Sequence, residues 1–331
     1  MKKRFFSILT ALALCLSLLP TAVWAEGLIG QSEGSGTVNL ENNYNGGSDP
    51  ASGLIGGITA SGTALTGNEA TLGEGNYYLN CNVTLKQEEP LRITGTVTLN
   101  LNGHVLEKAG GGSLIKVENG GSLTLTDSNT GNQTHYFEKN TYGTWGLTND
   151  ETENFVKGGV IAGGTGTGGY GGGVYVANGG TFTMNGGSIV GCEVHAENDP
   201  VSGGGVYVSG GGTFTMGGGS IAGCTAMTTN GNASGGGVYV ASGGTMTMSG
   251  NANIFGCTAA DGAGIYLVGT LIPNGGTVED SVTINSGGTL AAGSGESATT
   301  FTGEVLNNGT INDGTFKGEI RGMGEVTLGG S

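Results

Sequence analysis

A chain of 331 residues with 11 basic and 26 acidic side chains carries a formal net charge of −15. That argues against binding to nucleic acid or adsorption to anionic membranes, since both need cations. Glycine supplies 73 residues. That is far above the average of about 7%, yet no G-X-Y triplet runs through the chain, so collagen is excluded.

The first element is a targeting segment. MKKR is a positive n-region, FFSILTALALCLSLL is an apolar h-region, and Pro20 leads into TAVWA with small residues at the cleavage positions. This predicts a secretory signal peptide over 1–25, cut after Ala25, with Cys15 as part of the apolar run. Its removal takes away three basic residues and no acidic ones, leaving −18. No other apolar run is long enough to cross a bilayer. The expectation is a secreted or cell-surface protein with no direct membrane insertion.

Residues 26–75 are rich in Gly, Ser and Asn with little alternation, and read as a loose leader or irregular cap. Alternation begins over 76–129, where GTVTLNLNGHVL (from Gly95) and GGSLTLTDS (from Gly120) place threonines opposite aliphatics. The stretch 130–157 interrupts this pattern with Tyr136, Phe137, Tyr142 and Trp145, and is expected to be a loop excursion from one corner.

The core repeat occupies 158–270. GGGVYV begins at Gly171, Gly203 and Gly235, a period of 32, and GAGIYL at Gly262 is a shorter copy. Fixed periodicity of this kind marks a stacked architecture. Each unit holds three short runs, VYV, TFTM and SIVGC in the first copy, separated by Gly, Asn or Ser. Such runs are too short for helices and alternate with period 2, while glycines permit sharp corners. Three short strands and three corners per unit predict an all-β, right-handed, single-stranded parallel β-helix, with like strands paired about 4.8 Å apart.

Alternation assigns the faces. Val174, Val206, Val238 and Ile265, with Val176, Val208, Val240 and Leu267, point inward; Tyr175, Tyr207, Tyr239 and Tyr266 point outward. On the second strand Phe182, Phe214 and Met246, with Met184, Met216 and Met248, fill the interior, and Ile189, Ile221 and Ile254 line the third. Residues 271–331, with SVTINSGGTL and GTINDGTFKGEI, read as shorter rungs. EVTLGGS keeps rung character to the end, and an uncovered sheet edge there predicts a longer chain or a covering partner.

GGGVYV…GGTFTMNGGSI, preceded by LNLNGHVL and GGSLTLTDS, resembles the Gly-rich right-handed β-helix repeats of bacterial cell-surface, adhesin-like proteins. It is distantly similar to the polymorphic outer-membrane protein repeats, whose GGA-I motif parallels Gly203–Val206. The resemblance covers roughly 90–330 and implies architecture. It brings no shared catalytic residues.

Candidate chemistry is sparse. A glycosidase needs two carboxylates about 5–9.5 Å apart, yet Glu193, Asp199 and Asp261 sit in corners and do not recur between copies. A lyase wants a basic proton acceptor, and the mature chain holds only Arg92 and Arg321 as arginines. His104, after Asn-Gly, reads as a turn residue, and His195 as part of a solvated corner; neither predicts a metal or cofactor. Cys192, Cys224 and Cys257 share one column and Cys81 stands apart. Side chains pointing the same way one strand apart fit disulfide geometry poorly, so a buried thiol ladder is expected. The candidate binding residues lie on the stripe of Tyr175, Tyr207, Tyr239 and Tyr266, or on the 130–157 excursion with Tyr142 and Trp145. The expected function is a non-enzymatic, adhesin-like stalk or recognition rod whose partner is a glycan or a protein of a host or neighbouring cell. A β-helix polysaccharide lyase or glycoside hydrolase is the alternative, and the T-x-T columns raise ice binding as a minor one.

Overall fold

The structure, a computed structural model, describes residues 62–327 apart from 109, 132, 142, 167–168 and 295–296. The expected signal peptide with Cys15, the leader as far as residue 61, and Tyr142 lie outside the described residues. Every described element is a strand, and none of them is a helix able to cross a membrane.

The strands wind into a parallel β-helix with three faces. The first face stacks ten parallel strands, from Thr71–Leu72 to Ile320–Arg321. Its central members Val174–Val176, Val206–Val208, Val238–Val240 and Ile265–Leu267 pair without a shift, so that valine lies over valine and tyrosine over tyrosine. The second face carries the T-x-T strands, with Thr181–Met184 over Ser122–Thr126 on one side and Thr213–Met216 on the other. The third stacks Val105–Lys108, Val160–Ala162, Ser188–Val190 and Ser220–Ala222. Among the described residues the first strand is Thr63–Ala64, which pairs with Tyr77 and Tyr78. That corrects the expected boundary at residue 76: short paired strands already stack within the end of the segment read as a loose leader or irregular cap.

The inward assignments hold throughout. Val174, Val206, Val238, Phe182, Phe214, Met216, Ile189 and Ile221 are fully buried in one continuous cluster. Phe182 and Phe214 stack 4.9 Å apart at 6°. Each buried side chain of this size contributes roughly 1.5–3 kcal/mol before entropy, and no rung buries its face without a neighbour.

The GGG triplet has three separate reasons. Gly203 has φ +72°, a region disfavoured for residues with a Cβ. A Cβ on Gly204 would run into the carbonyl oxygens of Thr225 and Gly236. One on Gly205 would stand 2.7 Å from the Gly237 carbonyl, 2.9 Å from Ile221 Cγ2 and 3.2 Å from Cys224 Sγ. The first glycine turns the corner, the second lets neighbouring rungs approach, and the third leaves room for isoleucine and thiol inside.

The corner between the second and third faces is not always broken. Where NGG and GGG stand in the first two copies, the third has SGNAN, and a single strand, Thr245–Phe255, runs through. It pairs with Thr270–Val278 across an irregularity between Gly250 and Asn253.

Two excursions are more ordered than the sequence suggested. The 130–157 segment is a three-stranded antiparallel sheet, with Thr134–Lys139 between Trp145–Thr148 and Phe155–Lys157. Phe137 and Val156 press it onto the outward side of the third face, against Val105, Val160, Ala162, Val190 and Ala222. Asp127 fastens its base: Gly103 N–H donates to Oδ1 at 2.7 Å and Gly159 N–H to Oδ2 at 2.8 Å. The corners after the cysteines are out-and-back strands, Glu193–Ala196 over Thr225–Thr228 and Val201–Ser202 over Ala233–Ser234. Val194, Val201, Ala226 and Ala233 give them a small core of their own.

Gly205→Ala is expected to destabilise the protein by about 1–3 kcal/mol through overpacking. Gly146→Ala, where a Cβ meets nothing within 4 Å, should be nearly neutral. Urea unfolding of the two variants measures the difference.

Candidate functional site

The first face carries the candidate site because its strands alternate. Each tyrosine of the stripe lies between two buried aliphatic residues, as Tyr207 lies between Val206 and Val208, and is driven outward by the pleat. In-register pairing then sets ring over ring. Tyr175, Tyr207, Tyr239 and Tyr266 form a ladder with centroids 5.3, 5.2 and 5.3 Å apart and interplanar angles of 9°, 5° and 6°. Aromatic pairs of this kind contribute about 0.5–1.5 kcal/mol each. The ring faces on which a sugar would stack are occupied, within the ladder, by neighbouring rings; the half-buried ring edges remain towards solvent.

Burial pushes the Tyr207 phenol well above its ordinary range, and the neighbouring tyrosines Tyr239, Tyr175 and Tyr170 add to it. Tyr239 is raised by burial and then by Tyr266 and Tyr170; Tyr266 is raised by burial and then by Asp261, against a lowering hydrogen bond with Asn285.

The ladder ends in a charged cleft. In the same outward column the next rungs carry Lys116 and Arg92 in place of tyrosine. Lys116 Nζ stands 5.9 Å from the Tyr175 ring centroid. Glu118 lies between the two cations, its Oε1 2.9 Å from Arg92 Nε and 3.2 Å from Lys116 Nζ. Tyr170, 43% exposed, leans over the ladder with its ring 4.8 Å from that of Tyr207 and tilted by 54°. With Glu89, Pro90, Ser113 and Tyr175, these residues line a cleft of about 280 Å³.

Lys108 braces the cleft from behind. It is only 7% exposed, and its ammonium donates to the carbonyls of Glu88 (2.5 Å), Gly111 (2.6 Å) and Ser113 (3.4 Å). Burial holds this amine below its usual range, with Glu89 and Glu88 opposing. Ser113 Oγ in turn donates to the Tyr170 carbonyl at 3.2 Å.

Sequence reasoning missed Lys116, Glu118, Tyr170 and Lys108. The available signal was LRI and LIKV, which occupy the same strand frame as VYV. The 130–157 insertion and the unequal upstream spacing hid the alignment.

The remaining candidates are scattered. Trp145 belongs to the antiparallel sheet on the third face, not to the tyrosine ladder. It packs edge-on against Phe137 (5.5 Å, 66°), with Lys139 Nζ 5.1 Å from its ring, and covers Gly223, where a Cβ would come within 3.0 Å of both rings. The stripe and the 130–157 segment that carries Trp145 are thus two separate surfaces.

Cys192, Cys224 and Cys257 are buried and unbridged, and Cys81 is exposed. Each buried thiol points at carbonyls, as Cys224 Sγ does at Ala222 (3.6 Å) and Ile189 (3.7 Å). Burial pushes the Cys224 thiol up, the neighbouring cysteines adding to it, which removes thiolate character.

Glu193 and Asp199 belong to the out-and-back corners, and Glu193 pairs with Thr225. Asp261 bridges to Ser234. His104 follows the turn at Asn102 (φ +49°) and Gly103; burial lowers its pKa, opposed by Asp127. His195 lies beside Met227 on the exposed corner strands. Among the described residues no three of His, Cys, Asp and Glu converge as metal ligands.

Comparison with known proteins returns no family model, no curated protein and no solved structure that matches this chain.

Two outcomes follow from this geometry. With 1–25 removed, native protein treated with a thiol reagent should modify Cys81 quickly and the three column cysteines only on unfolding. The tyrosine ladder sets an alkaline limit. Folded Tyr207, Tyr239 and Tyr266 hold their protons to higher pH than the unfolded chain, whose phenols titrate at about 10. The folded state therefore binds more protons above that point, and its stability falls as pH rises through it. Replacing the three together by Phe should flatten that loss in pH-dependent urea unfolding.

Proposed function

We propose that this chain is an exported, non-enzymatic recognition protein of the cell surface. In this reading it is an adhesin-like β-helix that presents its first face and adjoining corners to a glycan or protein partner. The observation that carries the reading is the aromatic ladder running into a braced, charged cleft on an otherwise threonine- and glycine-rich exterior. Aromatic side chains supply contact area at low entropic cost, and a rigid scaffold reduces the ordering cost of binding. Export rests on the pattern of the first 25 residues.

Binding of the mature chain to a glycan and extracellular-matrix array tests the proposal. Specific retention that weakens several-fold in Tyr170→Ala combined with Tyr207→Ala is the expected result. Retention unchanged by that pair would remove the first face as the binding surface. Release of reducing ends or unsaturated products from a polysaccharide panel, lost in Asp199→Asn or Glu193→Gln, would replace the recognition role with the enzymatic alternative.

A further inference from the structure

The cleft at the end of the ladder is specific enough in its chemistry to name a ligand class. We propose that it binds one uncharged hexopyranose unit of a neutral glycan; this rests on the recognition role proposed above.

Three features point there. The first is charge. Arg92 and Lys116 line the cleft together with Glu118 and Glu89, so the lining is electrically balanced inside a mature chain of −18. A polyanionic glycan would meet the repulsion of the whole molecule with no local excess of cations to offset it. A neutral sugar meets fixed donors and fixed acceptors together. Arg92 spends Nε on Glu118 while 54% of its side chain stays exposed, and Glu118 itself is only 18% exposed. Hydrogen bonds from charged groups to hydroxyls are stronger than neutral ones.

The second is the aromatic surface. Rings inside the ladder spend their faces on one another, but Tyr170 is tilted out of the stack and 43% exposed. It offers the apolar platform that the C–H face of a pyranose requires. A cleft of about 280 Å³ lies just under the usual range of ligand pockets, about 300–1,000 Å³, which suits a single ring better than a length of chain.

The third is preorganisation. A buried ammonium is costly unless its donors are satisfied, and Lys108 uses its three donors to fix the Glu88 and Gly111–Ser113 backbone. Those segments carry Glu89, Pro90 and Ser113 into the cleft, and Ser113 holds Tyr170. Walls fixed by their own supports are what a selective binding site requires.

The test is an array of neutral hexose oligomers (glucans, galactans and mannans) beside polygalacturonate, heparin and sialylated oligosaccharides. Titration calorimetry on the best neutral oligomer follows, with the matching free methyl hexoside as competitor. The expected result is binding to a neutral oligomer that changes little from low to high salt and is competed by the methyl hexoside. It should fall about tenfold or more in Arg92→Ala and in Tyr170→Ala, while Lys139→Ala on the third face matches the native protein. Both altered cleft residues are surface groups, and thermal melting checks that the variants are folded; Arg92→Gln and Tyr170→Leu provide a second pair. Neutral binding that is indifferent to all four variants overturns the cleft as the site. Binding to acidic glycans alone, or to matrix proteins alone, overturns the neutral-sugar assignment while leaving the recognition role standing. No binding to any array component overturns both.

Discussion

Parallel pairing without a register shift is the constraint on which this structure depends. Successive rungs lie one strand spacing apart, about 4.8 Å, so each residue's nearest outside neighbour is the same residue of the next copy. Valine stacks on valine, Phe182 on Phe214, and Tyr207 on Tyr239. A column must therefore be made of side chains that tolerate their own likeness. Aliphatics, aromatics and small thiols do. Charges do not, because like charges directly opposite are destabilising, and the strand frame that places Arg92 beside Lys116 also brings Glu118 between them. The departure from tyrosine to cation at that end is what converts a repetitive surface into a particular one.

The interior imposes the complementary constraint. Isoleucine and cysteine side chains reach into the coil beside the third glycine of each GGG triplet, and even a methyl group there would collide with them. The thiols are held at carbonyls in a buried column, with burial raising the Cys224 pKa. Their chemistry is thus that of small apolar core residues. The ladder outside and the thiol column inside are both consequences of copying one unit in register.

Where the chain leaves the coil it does so to cover apolar surface. Val105, Val160, Val190 and Ala222 point outward from the third face, and the antiparallel sheet of 134–157 buries them beneath Phe137 and Val156. The stacked corners after the cysteines close over Val194, Val201, Ala226 and Ala233. These additions divide the exterior. Among the described residues the antiparallel sheet covers part of the third face, whereas no such sheet lies over the first, where Tyr170 reaches over the ladder.

The sequence by itself determined the winding, the inward columns and the outward tyrosines, because period 2 within a strand and period 32 between copies are both local in the chain. The alternation of VYV and TFTM could be read without knowing any contact. It did not determine what the excursions do. VIA and SIV are apolar on both sides of the strand, as two-sided burial requires, but which segment covers the outer side depends on residues brought together only by folding. Nor did it determine the cleft. Lys108, Ser113, Tyr170 and Glu118 are spread over more than sixty positions and two interruptions of the period. Only the stacking of rungs places Arg92, Lys116 and Tyr175 in one column, because pairing distance in a solenoid is counted in turns of the coil and not in residues along the chain.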